Sequence, residues 1–230
     1  MLEQLLVWER DAFFFLNGSH TPFWDRFMWL YSGKMVWIPI VLFILWVIFY
    51  KKNWRESLFI LLMIVLTIVL CDQFASGICK PLFTRLRPTH HPDFMNEVKT
   101  VYGYRGGMYG FISSHAANAF GFATFLSLLF KYKPFTWTVF LWATLNAYTR
   151  IYLGVHFITD IIPGIISGIA FGFLVYYIYV SLHKKYGTYF TVTDTSVLYT
   201  TKEKQYVIYG IVASVLLIAL LSKPLVDILR

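Results

Sequence analysis

Charge is scarce in this chain: only 14% of its residues are Asp, Glu, Lys or Arg, where a soluble domain carries about 25%. So few charges cannot clothe a soluble surface, which excludes an ordinary soluble globular protein. Cysteine is nearly absent. Cys71 and Cys79 lie on one apolar segment, and in a helix they stand about 12 Å apart along the axis, beyond the roughly 7 Å that a disulfide spans. Both read as buried small apolar residues, and their spacing offers no zinc site. Runs of basic residues of the kind that make a nucleic-acid arm are missing. The formal charge of +8 therefore points to cytoplasmic loops and anionic headgroups, with no nucleic-acid partner. A carboxylate cluster of the kind magnesium uses is also lacking, so neither a metal nor a cofactor is expected. Nor is there a secretory signal: "MLEQLLVWERDAFFFLNG" has no basic start, carries Glu3, Glu9 and Asp11, and shows no clear cleavage site.

What is present is apolar and aromatic. Hydrophobic residues make up 58% of the chain and aromatics 20%, as expected where side chains anchor at bilayer interfaces. Six apolar segments lie at roughly 35–50, 57–79, 113–130, 135–153, 157–180 and 206–222. A span needs about 20 residues, so the first begins earlier, near Met28, giving a span of about 30–50 with Lys34 snorkelling. The fold class expected is all-α: a six-transmembrane-helix bundle forming one integral-membrane domain over 1–230. Residues 1–30 are expected to lie in the interface, led by an amphipathic helix. No internal repeat stands out.

If the six spans alternate, "KKNWRE" (51–56), "KYK" (131–133) and the 183–204 loop share one side. They hold Lys51, Lys52, Arg55, Lys131, Lys133, Lys184, Lys185, Lys202 and Lys204, which makes that side cytoplasmic by the positive-inside rule. The N-terminal region, the 80–110 loop, the 149–157 turn and the C-terminus fall outside. That face also carries Lys80, Arg85, Arg87, Lys99 and Arg105, so the bias is moderate. The expected location is a bacterial cytoplasmic membrane, with the site on the outer or periplasmic side.

Three polar clusters fall on this outer side: "KPLFTRLRP" with Lys80 and Arg87, "ISSHAAN" with Ser113, Ser114 and His115, and "TRIYLGVHFITD" with Arg150, His156 and Asp160. Several cations at one point need an anion, and the guanidinium fork matches phosphate oxygens. Ser113 and Ser114 open a helix, where free N–H groups already favour phosphate. His115, in that first turn, is placed to act as a general acid. His156 and Asp160 share a helix face at four-residue spacing. A carboxylate on one ring nitrogen leaves the other free as a nucleophile. The set reads as phosphoryl transfer through a phosphohistidine without a metal. Singly, each residue has a plainer reading. Lys80, Arg87 and Arg150 are ordinary interfacial anchors about as readily as ligands, His115 a core histidine, and His156 with Asp160 a structural pair.

The order K-x6-R-P, S-S-H, R-x5-H-x3-D resembles the three-part motif of the type 2 phosphatidic acid phosphatase family, the lipid phosphate phosphatases, over residues 80–160. The resemblance implies His156 as nucleophile, Asp160 as its orienting partner and His115 as the acid. It implies Lys80, Arg87, Ser113, Ser114 and Arg150 as phosphate ligands. The middle motif departs from the common Pro-Ser-Gly-His: Ile112 and Ser114 replace Pro and Gly, and Thr149 stands where the third motif commonly has Ser. The implied partner is a membrane lipid phosphate or diphosphate. Undecaprenyl diphosphate, phosphatidylglycerol phosphate, phosphatidic acid and the phosphates of lipid A are the candidates. A lipid phosphotransferase would use the same residues. A transporter fits less well, since its site would lie near the midplane.

Other polar residues carry weaker readings. His90 and His91 sit in a turn before Pro92 rather than forming a metal pair. Asp72 is placed to orient Lys80 or Arg87, or to pack with Gln73. Asn118 could hold His115. "YGYRGGMYGF" (102–111) reads as a flexible solvated loop, with Arg105 near a headgroup as the bolder alternative. Gly164, Ser167, Gly168 and Gly172 suit close helix packing.

Overall fold

The computed structural model describes residues 2–186 and 198–229. Met1 and the 187–197 part of the expected 183–204 loop lie outside the described residues. Among the described residues the structure is helical, with no strand. In chain order the helices are α1 (Leu2–Asn17), α2 (Pro22–Ser32), α3 (Ile38–Phe49), α4 (Trp54–Asp72), α5 (Lys80–Phe83), α6 (Ser114–Phe130), α7 (Lys133–Tyr152), α8 (Ile158–Lys185), α9 (Thr201–Leu220) and α10 (Ser222–Leu229).

Their ends follow local chemistry. Thr21 caps α2 by accepting from Trp24 N, with Pro22 at the first position. Asn53 caps α4 by accepting from Arg55 N at 2.9 Å. Thr200 and Glu203 form a reciprocal capping box at α9. Between α4 and α5 the chain widens into a π-helix, Gln73–Cys79, in which Lys80 N donates to Ala75 O. Pro81 has no N–H to continue the regular ladder, and the wider turn keeps its ring clear of the carbonyl below. The result is one continuous run, Trp54–Phe83, longer at both ends than the expected 57–79.

Among the described residues three helices are long and apolar enough to cross a membrane: Trp54–Phe83, Ile158–Lys185 and Thr201–Leu220. Pro22–Ser32 with Met35–Phe49 makes a fourth if that pair, bent by 72°, is one span. The chain is an integral membrane protein. The expected first span, 30–50, is bent near its start: Gly33 leaves α2 with extended backbone (φ −73°, ψ 151°), so the two helices meet at an elbow. Ser114–Phe130 is a shorter apolar helix. α7 carries Lys133, Asn146 and Arg150 within its 20 residues, which dilutes its apolar signal.

The bundle is built around α6, packed against α4, α7 and most closely α8. Small residues at four-residue spacing set that distance. A Cβ at Gly168 would fall 2.3 Å from Ala117 O, and one at Gly172 would fall 2.6 Å from Thr124 Cβ. This is the close packing anticipated for Gly164, Gly168 and Gly172. Cys71 and Cys79 are buried free thiols. At the opposite end of α8 from the clusters, Glu56 is buried, taking the Tyr179 hydroxyl and standing 3.0 Å from His183 Nε2.

The first 30 residues form two helices rather than one. α1 and α2 are separate helices, and α1 docks on α7 and α8. Phe13 is fully buried and meets the Phe157 ring at 5.4 Å. Asn17 is buried too: its amide nitrogen reaches Lys99 O, Ile151 O and Tyr152 O at 3.0, 3.2 and 2.8 Å, and its oxygen accepts from Lys99 N at 3.0 Å. Trp8 and Phe15, in contrast, are exposed. α10, which no apolar segment foreshadowed, turns back from α9 onto α2.

Candidate active site

The three sequence clusters converge at one end of the bundle. Lys80, in the first turn of α5, donates to Ser76 Oγ at 3.0 Å and to Ser114 Oγ at 3.3 Å. Arg87 is buried; its Nε donates to Tyr109 O at 3.0 Å and one terminal nitrogen reaches Val155 O at 3.4 Å. Arg150, in the last turn of α7, is 2% exposed. It donates to Ser32 Oγ and, at 3.1 Å, to the Tyr104 hydroxyl, while its Nε has no partner. Lys80, Arg87 and Arg150 act on one another electrostatically. Yet among the described residues none of the three has a carboxylate within ion-pair distance. Buried or half-buried cations without counter-charge are costly, and an incoming anion would relieve that cost.

The helix start adds donors. Ser113 caps α6, accepting from Ala116 N, and is fully buried. Its own N–H is taken by Asp160 O at 2.9 Å. An anion here would thus meet the N–H groups of Ser114 and His115 and the Ser113 hydroxyl rather than the Ser113 amide. His115 follows in the first turn, within electrostatic reach of Arg150, His156 and Arg87.

His156 sits in the turn between α7 and α8. Its Nδ1 lies 3.3 Å from Asp160 Oδ2, and that oxygen also accepts from Phe157 N at 3.0 Å. Both residues are buried, at 1% and 0% exposure. Burial first, then the charges of Arg87, Arg150 and Lys80, pull the His156 imidazole well below its usual pKa, so it is neutral at pH 7. A hydrogen bond with the Gly110 backbone pulls the other way without reversing the shift. In the tautomer that carries its proton on Nδ1, facing Asp160, Nε2 holds the lone pair. Burial and the Arg150 charge likewise lower Arg87, though from a value so high that it stays charged. Burial raises the Tyr104 phenol, but the charge and hydrogen bond of Arg150, with Arg87 and Lys34, outweigh it and bring it down.

Two cavities reach His115. One of about 630 Å³ runs past Arg150, Tyr104 and Lys34, and one of about 470 Å³ is walled by Trp37, Ile44, Ile64, Phe122 and Trp142. Asp72 and Asn118 line the second, and Asp72 is within electrostatic reach of Lys80. His90 and His91 do not converge as a metal pair: His90 pairs with the Thr89 hydroxyl at 3.1 Å, and His91 stacks on Phe94.

A sequence model of the PAP2 superfamily matches residues 58–184. The chain is 49% identical to a lipid A 4′-phosphatase of Porphyromonas gingivalis, over 77% of this chain and 75% of the relative. It is 40% identical to a lipid A 4′-phosphatase of Bacteroides thetaiotaomicron, over 77% and 80%. The crystal structure of Aquifex aeolicus LpxE superposes with a TM-score of 0.51 at 28% identity, covering 72% of this chain and 92% of that one. The chain belongs to the PAP2 superfamily.

Around the PAP2 motif the structure places residues that the sequence reading left aside. Arg85, counted there only as a loop charge, pairs with Asp160 Oδ1 at 2.9 Å and with Glu9 at 2.6 Å. Ser32, at the end of α2, and Tyr104, from the 102–111 stretch, hold Arg150. That stretch is not a free loop. Arg87 N donates to Met108 O at 3.0 Å, Gly110 N to Arg85 O at 2.8 Å, and Arg105 is tied to Thr89 O. Gly106 has φ +69°, and a Cβ there would lie 2.7 Å from an Arg87 terminal nitrogen. Gly106→Ala is therefore expected to displace this PAP2 arginine and to raise KM by about tenfold, the size of one charge-assisted hydrogen bond. Steady-state kinetics on a lipid phosphate check this.

Proposed function

We propose that this protein hydrolyses the 4′-phosphate of lipid A, without a metal, through a phosphohistidine on His156. Its class is a phosphatase acting on lipid phosphates. The two lipid A 4′-phosphatases support the finer choice of substrate. The observation that carries the reading is the set of Lys80, Arg87 and Arg150 around a neutral, carboxylate-held His156. Three cations would hold the phosphate oxygens. With Nδ1 turned to Asp160, the Nε2 lone pair attacks phosphorus, an N–P bond forms and the ester P–O bond breaks. His115, protonated when the dianion arrives, gives its proton to the leaving lipid oxygen. Water then attacks phosphorus, passes a proton back to His115, and the N–P bond breaks to release phosphate. Charge stabilisation that a metal would supply elsewhere falls here to the cations.

The layout we propose has six spans, taking the α2–α3 elbow as the first and α4–α5, α6, α7, α8 and α9 as the rest. α1 would sit at the outer interface and the site would face outward. The Lys51–Arg55 and Lys131–Lys133 loops, at the far ends of the helices that carry the site, support that orientation. An alkaline phosphatase reporter fused after Arg230 should be active, and an inactive one reverses the orientation.

The 470 Å³ apolar cavity beside His115 would take an acyl chain entering from the bilayer. Val41 lines it and is 48% exposed, so Val41→Trp can fill space without disturbing the core. Displacing two chain methylenes predicts a KM about tenfold higher, with kcat within about twofold. The deciding experiment is phosphate release from a panel of lipid phosphates. Lipid A carrying a 4′-phosphate should be the best substrate, with EDTA harmless and vanadate inhibitory. A strong EDTA effect restored by one metal would sink the metal-free mechanism.

A further inference from the structure

We infer that Glu9, on the N-terminal helix α1, is a positioning residue that keeps Asp160 aimed at His156. The inference rests on the His156 reading above. The Glu9 side chain is 8% exposed, far more buried than a free surface carboxylate would be. One of its oxygens accepts from Arg85 Nη2 at 2.6 Å. The other accepts from Thr159 N at 3.3 Å and from the Thr159 hydroxyl. Arg85 Nη1 in turn donates to Asp160 Oδ1 at 2.9 Å, and its guanidinium lies 4.6 Å from the Phe157 ring centroid. Asp160 thus has one oxygen on Arg85 and the other on His156 and Phe157 N.

The division matters because a guanidinium prefers to grip a carboxylate with two parallel hydrogen bonds. Left alone with Asp160, Arg85 would take both oxygens and draw Oδ2 away from His156 Nδ1. Glu9 occupies the second prong. It also holds Thr159, the residue next to Asp160, by its backbone N–H. The carboxylate plane is fixed from both sides, and the free nitrogen of His156 stays pointed at the phosphate site. Three segments far apart in sequence, at Glu9, Arg85 and Asp160, meet in this one chain of contacts.

Glu9→Gln keeps the shape of the side chain and removes its charge. It is expected to lower kcat about tenfold, the size of one charge-assisted hydrogen bond, with KM within about twofold. In an Asp160→Asn background the same change should have no further effect, because the fork it guards against has lost its carboxylate. Asn17→Ala loosens the same helix through other contacts and should lower Tm while leaving kcat within about twofold. The inference is overturned if Glu9→Gln changes only Tm, if its loss of kcat adds fully to that of Asp160→Asn, or if Asn17→Ala costs as much kcat. Retained turnover in His156→Ala would instead bring down the phosphohistidine reading, so the two failures are told apart.

Discussion

His156→Ala is expected to abolish turnover, lowering kcat by about four orders of magnitude or more while lipid binding persists. In the proposed mechanism His115 donates to the leaving oxygen and Lys80, Arg87 and Arg150 hold the phosphate, so none of them takes the phosphoryl group. Rapid acid-free quenching with labelled substrate should trap a phosphoenzyme in the parent protein and none in the variant. The pH dependence carries a sign. In the proposed mechanism the neutral imidazole is the nucleophile, and burial with the neighbouring cations holds its pKa well below 6.5. Activity limited by His156 is therefore full above pH 6.5 and declines only as pH falls well below it. Arg87→Met removes one of the charges that disfavour the imidazolium, so it should move that acid limb upward. A kcat/KM profile whose acid limb stayed put in Arg87→Met would mean that a different group sets it.

The second large effect concerns the fold. At Gly168 an added Cβ would lie 2.3 Å from the Ala117 carbonyl oxygen, and that atom is α6 backbone with no side-chain rotamer to yield. Gly168→Ala must push α8 away from α6. Overpacking of this kind costs about 1–3 kcal/mol, and Gly168→Leu should leave no folded protein. Because α6 opens with Ser113, Ser114 and His115 and α8 carries Asp160, the alanine variant should also lose activity before it loses its helices. Gly107→Ala, where nothing lies within 4 Å, should leave Tm unchanged. Detergent-solubilised thermal melts beside phosphate release check both.

That Lys80, Arg87, Ser113, Ser114, His115, Arg150, His156 and Asp160 would meet at one end of the bundle was legible in the sequence, because their grouping is encoded in residue type and spacing. The apolar helices were legible to within a turn or two for the same reason: apolar runs are local. The elbow at Gly33 was not, since a single extended residue leaves the apolar run on both sides intact. Nor were Glu9, Ser32 and Tyr104. Each acts on a cation that lies dozens of residues away, through an ordinary carboxylate or hydroxyl, and no periodicity marks such a pairing. The 102–111 stretch looked mobile because it is rich in glycine. Its backbone bonds to Arg85 and Arg87, together with the Tyr104 and Arg105 side chains, hold it in place.

The Asn17 amide joins α1 to Lys99, Ile151 and Tyr152, residues separated from it by 82, 134 and 135 positions. Synthesis runs from the N-terminus to the C-terminus, so α1 is made well before those partners. α1 can therefore take its seat only once residues 151 and 152 have been made. Until then Phe13 lacks the Phe157 ring it packs against, and Glu9 lacks Arg85 and Thr159.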